Sequence, residues 1–258
     1  YKRQTLNTNE IVYTADLMNI SPANDAQIYG KDGNYILSGL EIRDVTPTSA
    51  TLTAGRALIQ GRLFELKANT KYSLTPGTSQ YLGLEIDLTK QNIDDGMGNI
   101  TNNQFTVKSN DREYGDTLLG DIQSFVAFYQ VNTQTQTSTQ LVFPYRFTQD
   151  LTYGYGADAF PADTRSVRPM VRRIGKNVQV QGVLNNKYTV NNGQSNLVMR
   201  TLPAGCRPMG RLFGTTPSAG GVYEVDIDTN GNILLTNFTG RAIKPGSFIS
   251  ITFSFMAA

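Results

Sequence analysis

Histidine and tryptophan are missing from this 258-residue chain, and cysteine occurs once. Without imidazole the commonest general base and the commonest ligand of catalytic zinc are gone, so serine triads, cysteine proteases and zinc hydrolases fall away. Cys206 has no partner for an intramolecular disulfide and, between Gly205 and Arg207, reads as a small structural residue. No run approaches the roughly 20 apolar residues that a membrane helix needs. The chain is therefore expected to be soluble, without a membrane partner, and neither a cofactor nor a metal is expected. The glycine-rich runs at 94–99 (DDGMGN) and 214–221 (GTTPSAGG) lack the flanking elements and the lysine of a phosphate loop, which argues against nucleotide binding.

Threonine (29), asparagine (21) and glycine (24) are abundant, and the aromatics are Tyr and Phe, a composition that points to short strands joined by tight turns. Apolar positions alternate along Asn34–Ile42, Arg56–Leu66 and Gln80–Leu88, and again along Ser124–Asn132 and Ser138–Phe143. Helix is expected only over Glu10–Asn19 and Ala23–Tyr29. A second antiparallel set follows at Ser166–Ile174, Asn177–Leu184, Leu197–Arg200, Val222–Ile227, Asn232–Asn237 and Phe248–Phe255. The class is all-β. Between the two sets, Pro144–Asp163 changes character, with Phe147, Tyr153, Tyr155 and Phe160 spread among Gly and Pro, so we place one domain at 1–150, a short connection at 151–163 and a second domain at 164–258.

Charge reverses at the same place. Residues 1–158 carry 12 Lys/Arg against 17 Asp/Glu, and residues 159–258 carry 11 against 4. A basic C-terminal half would face an anionic partner; ordinary surface variation is the plainer reading. Arg165, Arg168, Arg172 and Arg173 flank an apolar segment and read as strand-edge charges, so no nucleic-acid partner is expected.

The sharpest local signal is VYEVDIDTNGNILLTN at 222–237. Tyr223, Val225 and Ile227 alternate with Glu224, Asp226 and Asp228, and Asn230-Gly231 supplies a two-residue hairpin turn. The three acids thus share a face opposite the buried residues. Four readings of that face remain open. Asp226, Asp228, Asn230 and Gly231 match half of a calcium loop, but Asn237 stands where its bidentate Glu belongs. Two carboxylates on one strand also suit a glycosidase pair; alternatively they accept hydrogen bonds from sugar hydroxyls, or merely face solvent.

Three stretches resemble the receptor-binding proteins at the baseplate tip of lactococcal-type siphophages: QGRLFEL (60–66) followed by YLGLEIDLTK (81–90), CRPMGRLFG (206–214), and VYEVDIDTNGNILLTN (222–237). The resemblance implies an N-terminal β-sandwich shoulder bound to other baseplate proteins, a neck, and a C-terminal antiparallel β-barrel head, assembled as a homotrimer on the virion tail tip. It implies non-catalytic binding of a Gram-positive cell-wall saccharide or phosphopolysaccharide. It further implies a saccharide site around Tyr223, Glu224, Asp226, Thr236, Asn237 and Arg241. Leu235 and Thr236 stand where the family has a Trp pair, so the stacking platform is either missing or moved to Tyr223, Phe238 or Phe213. The alternatives are a tail-associated glycan depolymerase using Glu224 and Asp226, or a structural baseplate adaptor.

Overall fold

A computed structural model describes residues 22–31, 33–94, 96–97, 100–151, 158–163, 167–218 and 221–258. The helix expected over Glu10–Asn19, as well as Tyr153, Tyr155 and Arg165, lies outside them. One α-helix is found among the described residues, α1 (Pro22–Gly30). Proline at its first position lacks only an N–H that the helix would leave unbonded, and Asp25 sits in the first turn where a negative charge is favoured. Apart from one 3-10 turn at Ala204–Cys206, the other regular elements among the described residues are strands paired antiparallel, as the composition predicts.

Two compact units divide after Pro144. The first unit holds β1 (Tyr35–Gly39), β2 (Ile42–Arg43), β3 (Ser49–Leu52), β4 (Gly55–Ile59), β5 (Arg62–Leu66) and β6 (Thr70–Ser73), then β7 (Ser79–Asp87), β8 (Ile93–Asp94), β9 (Ile100–Thr101), β10 (Phe105–Asn110), β11 (Gln123–Asn132) and β12 (Thr137–Gln140). The sheets β1-β4-β5, β2-β3-β6 and β10-β7-β11-β12 enclose one core, built from residues such as Leu52, Ile59, Leu84 and Phe128, so this unit is sandwich-like. Two runs read as single strands are in fact broken. Gly39 and Leu40 both take positive φ (54° and 55°) and turn the chain between β1 and β2. Gln60 and Gly61 (φ 45° and 72°) form a two-residue turn that folds Arg56–Leu66 into the β4–β5 hairpin, with Ile59 opposite Arg62.

The second unit contains β13 (Arg146–Asp150), β14 (Met170–Ile174), β15 (Asn177–Asn185), β16 (Leu197–Thr201), β17 (Leu212–Ser218), β18 (Gly221–Ile227), β19 (Asn232–Thr236) and β20 (Phe248–Met256). They form two four-stranded sheets, β13-β14-β15-β20 and β16-β19-β18-β17, on a shared core that includes Val171, Val180, Tyr223, Ile227, Leu235 and Ile251. The expected closed barrel is not what the ladders make. β17 and β20 approach each other at Gly214, where an added Cβ would lie 2.9 Å from the Phe253 ring, but the approach is through side chains and the two sheets stay open.

The domain boundary also moves. β13 pairs along its length with β14, from Arg146 opposite Ile174 to Asp150 opposite Met170, so Arg146–Asp150 belongs to the second unit. Leu151 and Phe160 are buried in that unit's core, so the stretch expected to be a connection contributes packing. The aromatics did foreshadow this: Phe147 packs against the same core. A fragment starting at Tyr145 is expected to unfold cooperatively. One starting at Thr164 loses an edge strand and two buried side chains worth roughly 1.5–3 kcal/mol each. Thermal unfolding followed by circular dichroism compares them, and equal stability of the two fragments would restore the later boundary.

Candidate functional site

The hairpin over 222–237 forms, though not with the expected turn. Gly231 alone takes positive φ (82°), Gly231 N–H donates to Asp228 O (2.9 Å), and Asp228 N–H donates to Asn232 O (3.0 Å). This is a three-residue loop, a tight turn closed by a left-handed glycine. An added Cβ on Gly231 would lie 2.9 Å from Arg207 Cγ, so the position resists any side chain. Asp228 is consumed locally, its Oδ1 accepting Asn232 N–H (2.8 Å) and its Oδ2 accepting Asn232 Nδ2 (2.9 Å). It is therefore turned away from Asp226, and no group of three acids, cysteines or histidines among the described residues is placed to hold a metal.

Inward-facing Tyr223, Val225 and Ile227 are all buried, as the alternation requires. On the opposite face Asp226 departs from expectation: it is only 1% exposed. Its row across the sheet explains this. Val198, Leu234, Asp226 and Phe213 lie side by side on β16, β19, β18 and β17. Arg211, two residues before Phe213 and on the same face, closes over the carboxylate. Its Nη2 donates to Asp226 Oδ2 (2.6 Å) and to Asn196 Oδ1 (2.8 Å), and its guanidinium carbon stands 5.2 Å from the Phe213 ring centroid. Phe213 itself is 70% exposed.

Asp226 Oδ1 is buried and accepts no hydrogen bond. Glu224, the next outward residue on β18, is within hydrogen-bonding reach of Asp226. Its carboxyl is raised above the ordinary range, first by desolvation and then by the Asp226 charge, with Arg211 acting the other way. Two carboxyls this close disfavour a second negative charge, and it is the Glu224 proton that is held the more tightly for it.

The remaining sequence-derived candidates are placed differently. Tyr223 is 1% exposed within the core and has no face to offer a sugar. Thr236 (2% exposed) uses its hydroxyl to accept Asn196 N–H at 3.1 Å. Asn237 (0% exposed) donates to Val190 O and Arg241 O and accepts from Thr239. These two hold the loops beside the site rather than lining it. Arg241 is exposed, and no hydrogen bond or ion pair among the described residues joins its guanidinium to Asp226. The exposed platform is Phe213, with Phe238 (66% exposed) on the loop after β19. Cys206 is buried, and burial pushes its thiol up to about 11, in keeping with a structural role.

Arg211 and Asn196 were missed. The signal for Arg211 was available, since Arg211 and Phe213 are two apart in a strand that pairs with the acidic one. Nothing local marks Asn196, which arrives from a loop. A cleft of about 200 Å³ beside this face was also missed. It lies where β17 and β20 approach and is lined by Thr215, Thr216, Ser250, Thr252 and Phe253. Thr215 sits opposite Glu224 on the same face, so the hydroxyl-rich cleft borders the acid pair. No protein-family model matches the chain, and no curated protein matches it.

Two outcomes test this geometry. Arg211→Met strands a buried carboxylate and is expected to cost about 1–3 kcal/mol, below the cost of a fully buried pair because Arg211 is 40% exposed. Asp226→Asn in that background should recover part of the loss in urea unfolding. The raised Glu224 carboxyl means that the folded state holds its proton more tightly than the unfolded chain. Its contribution to stability is complete below the unfolded value and is lost as pH rises through the folded one. Glu224→Gln should remove that component from the pH dependence of the urea midpoint, and an unaltered profile would deny the raised Glu224 carboxyl.

Proposed function

We propose that this chain is a non-catalytic receptor-binding protein of a bacteriophage tail tip, attaching the virion to a Gram-positive host by binding cell-wall saccharide on its C-terminal unit. The observation that carries the reading is the Arg211–Asp226–Glu224 group beside the exposed Phe213 ring, on the face whose Thr215 also lines the hydroxyl-rich cleft. A pyranose offers hydroxyls that carboxyl, hydroxyl and guanidinium groups can bond, and a C–H face that an aromatic ring can cover. In this reading the N-terminal unit attaches to other baseplate proteins and the chain works as a homotrimer, several weak sites adding up through effective concentration.

Binding is favoured over hydrolysis by the state of Asp226. A glycosidase needs carboxyls about 5–10 Å apart, one of them free to attack or to activate water. Here Asp226 is buried, committed to Arg211 and within hydrogen-bonding reach of Glu224. The depolymerase reading therefore has the right residue types in the wrong relation. A structural adaptor has no use for an exposed ring beside a polyol-sized cleft.

Sedimentation of the purified chain with Gram-positive cell walls tests the proposal. Binding without release of reducing ends is expected, with Phe213→Ala lowering affinity between about two- and tenfold and Asp226→Ala lowering it further. Reducing ends released by the parent protein and not by Glu224→Gln would establish the depolymerase instead. Light scattering after size exclusion should give about three times the 28.4 kDa chain mass. A monomer would remove the trimer.

A further inference from the structure

We propose a second binding surface on the C-terminal unit: the outward face of the β13-β14-β15-β20 sheet, which takes the phosphate groups of an anionic glycan polymer. It lies on the sheet opposite the one that carries Asp226, across their shared core. The kind of polymer rests on the adhesin reading; the surface itself does not use Asp226.

Strand register lays out this face. With Val171, Val178, Val180, Ile249 and Ile251 buried, the alternate residues form three cross-strand rows outward. The first is Arg146, Ile174, Asn177 and Met256; the second is Thr148, Arg172, Gln179 and Ser254; the third is Asp150, Met170, Gln181 and Thr252. Lys176 follows in the turn between β14 and β15. A concavity of about 320 Å³ opens here, lined by Arg172, Ile174, Asn177, Val178, Gln179 and Ser254.

Arg146, Arg172 and Lys176 are exposed, and none has an ion pair or side-chain hydrogen bond among the described residues. Asp150, the single acid in the three rows, stands at the far corner with Arg168 at 3.9 Å. Arg146 and Arg172 are diagonal neighbours on adjacent strands, a relation that places them about 7–8 Å apart and makes two unneutralised like charges unfavourable. An anion bridging them removes that repulsion. Residues 145–258 carry 12 Lys/Arg against 6 Asp/Glu, so the field of the whole unit has the same sign.

The neighbours of these cations select the class of anion. Guanidinium forks meet phosphate oxygens in pairs, while Asn177, Gln179, Thr148 and Ser254 offer donors and acceptors to sugar or polyol hydroxyls. No aromatic stands in the three rows, so the cations there lack an adjacent stacking platform of the kind used for single-stranded nucleic acid. The occupant is a phosphate-bearing glycan or polyol polymer lying along the rows.

The full chain, titrated onto an immobilised poly(glycerol phosphate) probe at several salt concentrations, decides the matter. The parent should bind with log affinity falling linearly against log salt. Arg146→Gln/Arg172→Gln should weaken binding about tenfold and reduce that slope by about 1 to 2, the release expected for two phosphate contacts. Arg146→Lys/Arg172→Lys should keep most of the slope, and unchanged thermal unfolding of both variants shows that folding is not the cause. No binding by the parent, or equal binding and slope in the Gln variant, overturns the surface; displacement by poly-dT at lower concentration than by the soluble glycerol-phosphate polymer overturns its ligand class. Parent protein that ignores cell walls yet binds the probe through Arg146 and Arg172 would sink the adhesin reading and leave this surface standing.

Discussion

The C-terminal site depends on the register that holds β18 between β17 and β19. Because successive side chains point to opposite faces, seating Tyr223, Val225 and Ile227 in the core forces Glu224, Asp226 and Asp228 to the other face. A slip of one residue would bury the acids in the core and expose the hydrophobes. The two flanking strands then decide what each acid meets. Asp226 receives Leu234 on one side and Phe213 on the other, with Arg211 above it. Asp228, at the strand end, meets only its own turn.

Burial of one carboxylate has consequences for its neighbours. Asp226 is tolerable at 1% exposure because Arg211 neutralises it, and Arg211 is held in place by Asn196 and the Phe213 ring. Asn196 is in turn anchored by Thr236, and Asn237 ties the adjacent loops together. Thr236 and Asn237 thus support the group that meets solvent without meeting solvent themselves. Glu224 is left as the more accessible acid, with the proton that Asp226 disfavours losing.

The unit presents two outward faces of different chemistry on one core. One has a neutralised acid group, an exposed aromatic and a cleft of hydroxyls; the other has unpaired arginines set among amides and hydroxyls. The charge reversal along the sequence is therefore not spread evenly. Arg173 and Arg200 spend their guanidinium groups on backbone carbonyls inside the unit, while Arg146 and Arg172 point outward. A polymer with both sugar hydroxyls and phosphates would have something to bind on each.

The sequence by itself determined the class of structure and the polarity of each strand face. Period-two alternation made the β18–β19 hairpin and its buried side legible, and the aromatics after Pro144 marked that stretch as packed. The β4–β5 turn escaped because Gln60-Gly61 is a less usual pair for positive φ than Asn-Gly, which in turn misdirected the expected loop at Asn230-Gly231. Tertiary structure alone decided which outward residues are truly outside. Asp226 and Phe213 lie directly opposite each other on the same face, yet only Phe213 stays exposed, because exposure depends on what adjacent strands and loops lay over a position. Arg211 reaches Asp226 from 15 positions away in the chain, Asn196 holds Arg211 from a further 15, and the cleft forms where β17 meets β20 from the other sheet. Local pattern sets which way a side chain points; only long-range pairing sets what it finds there.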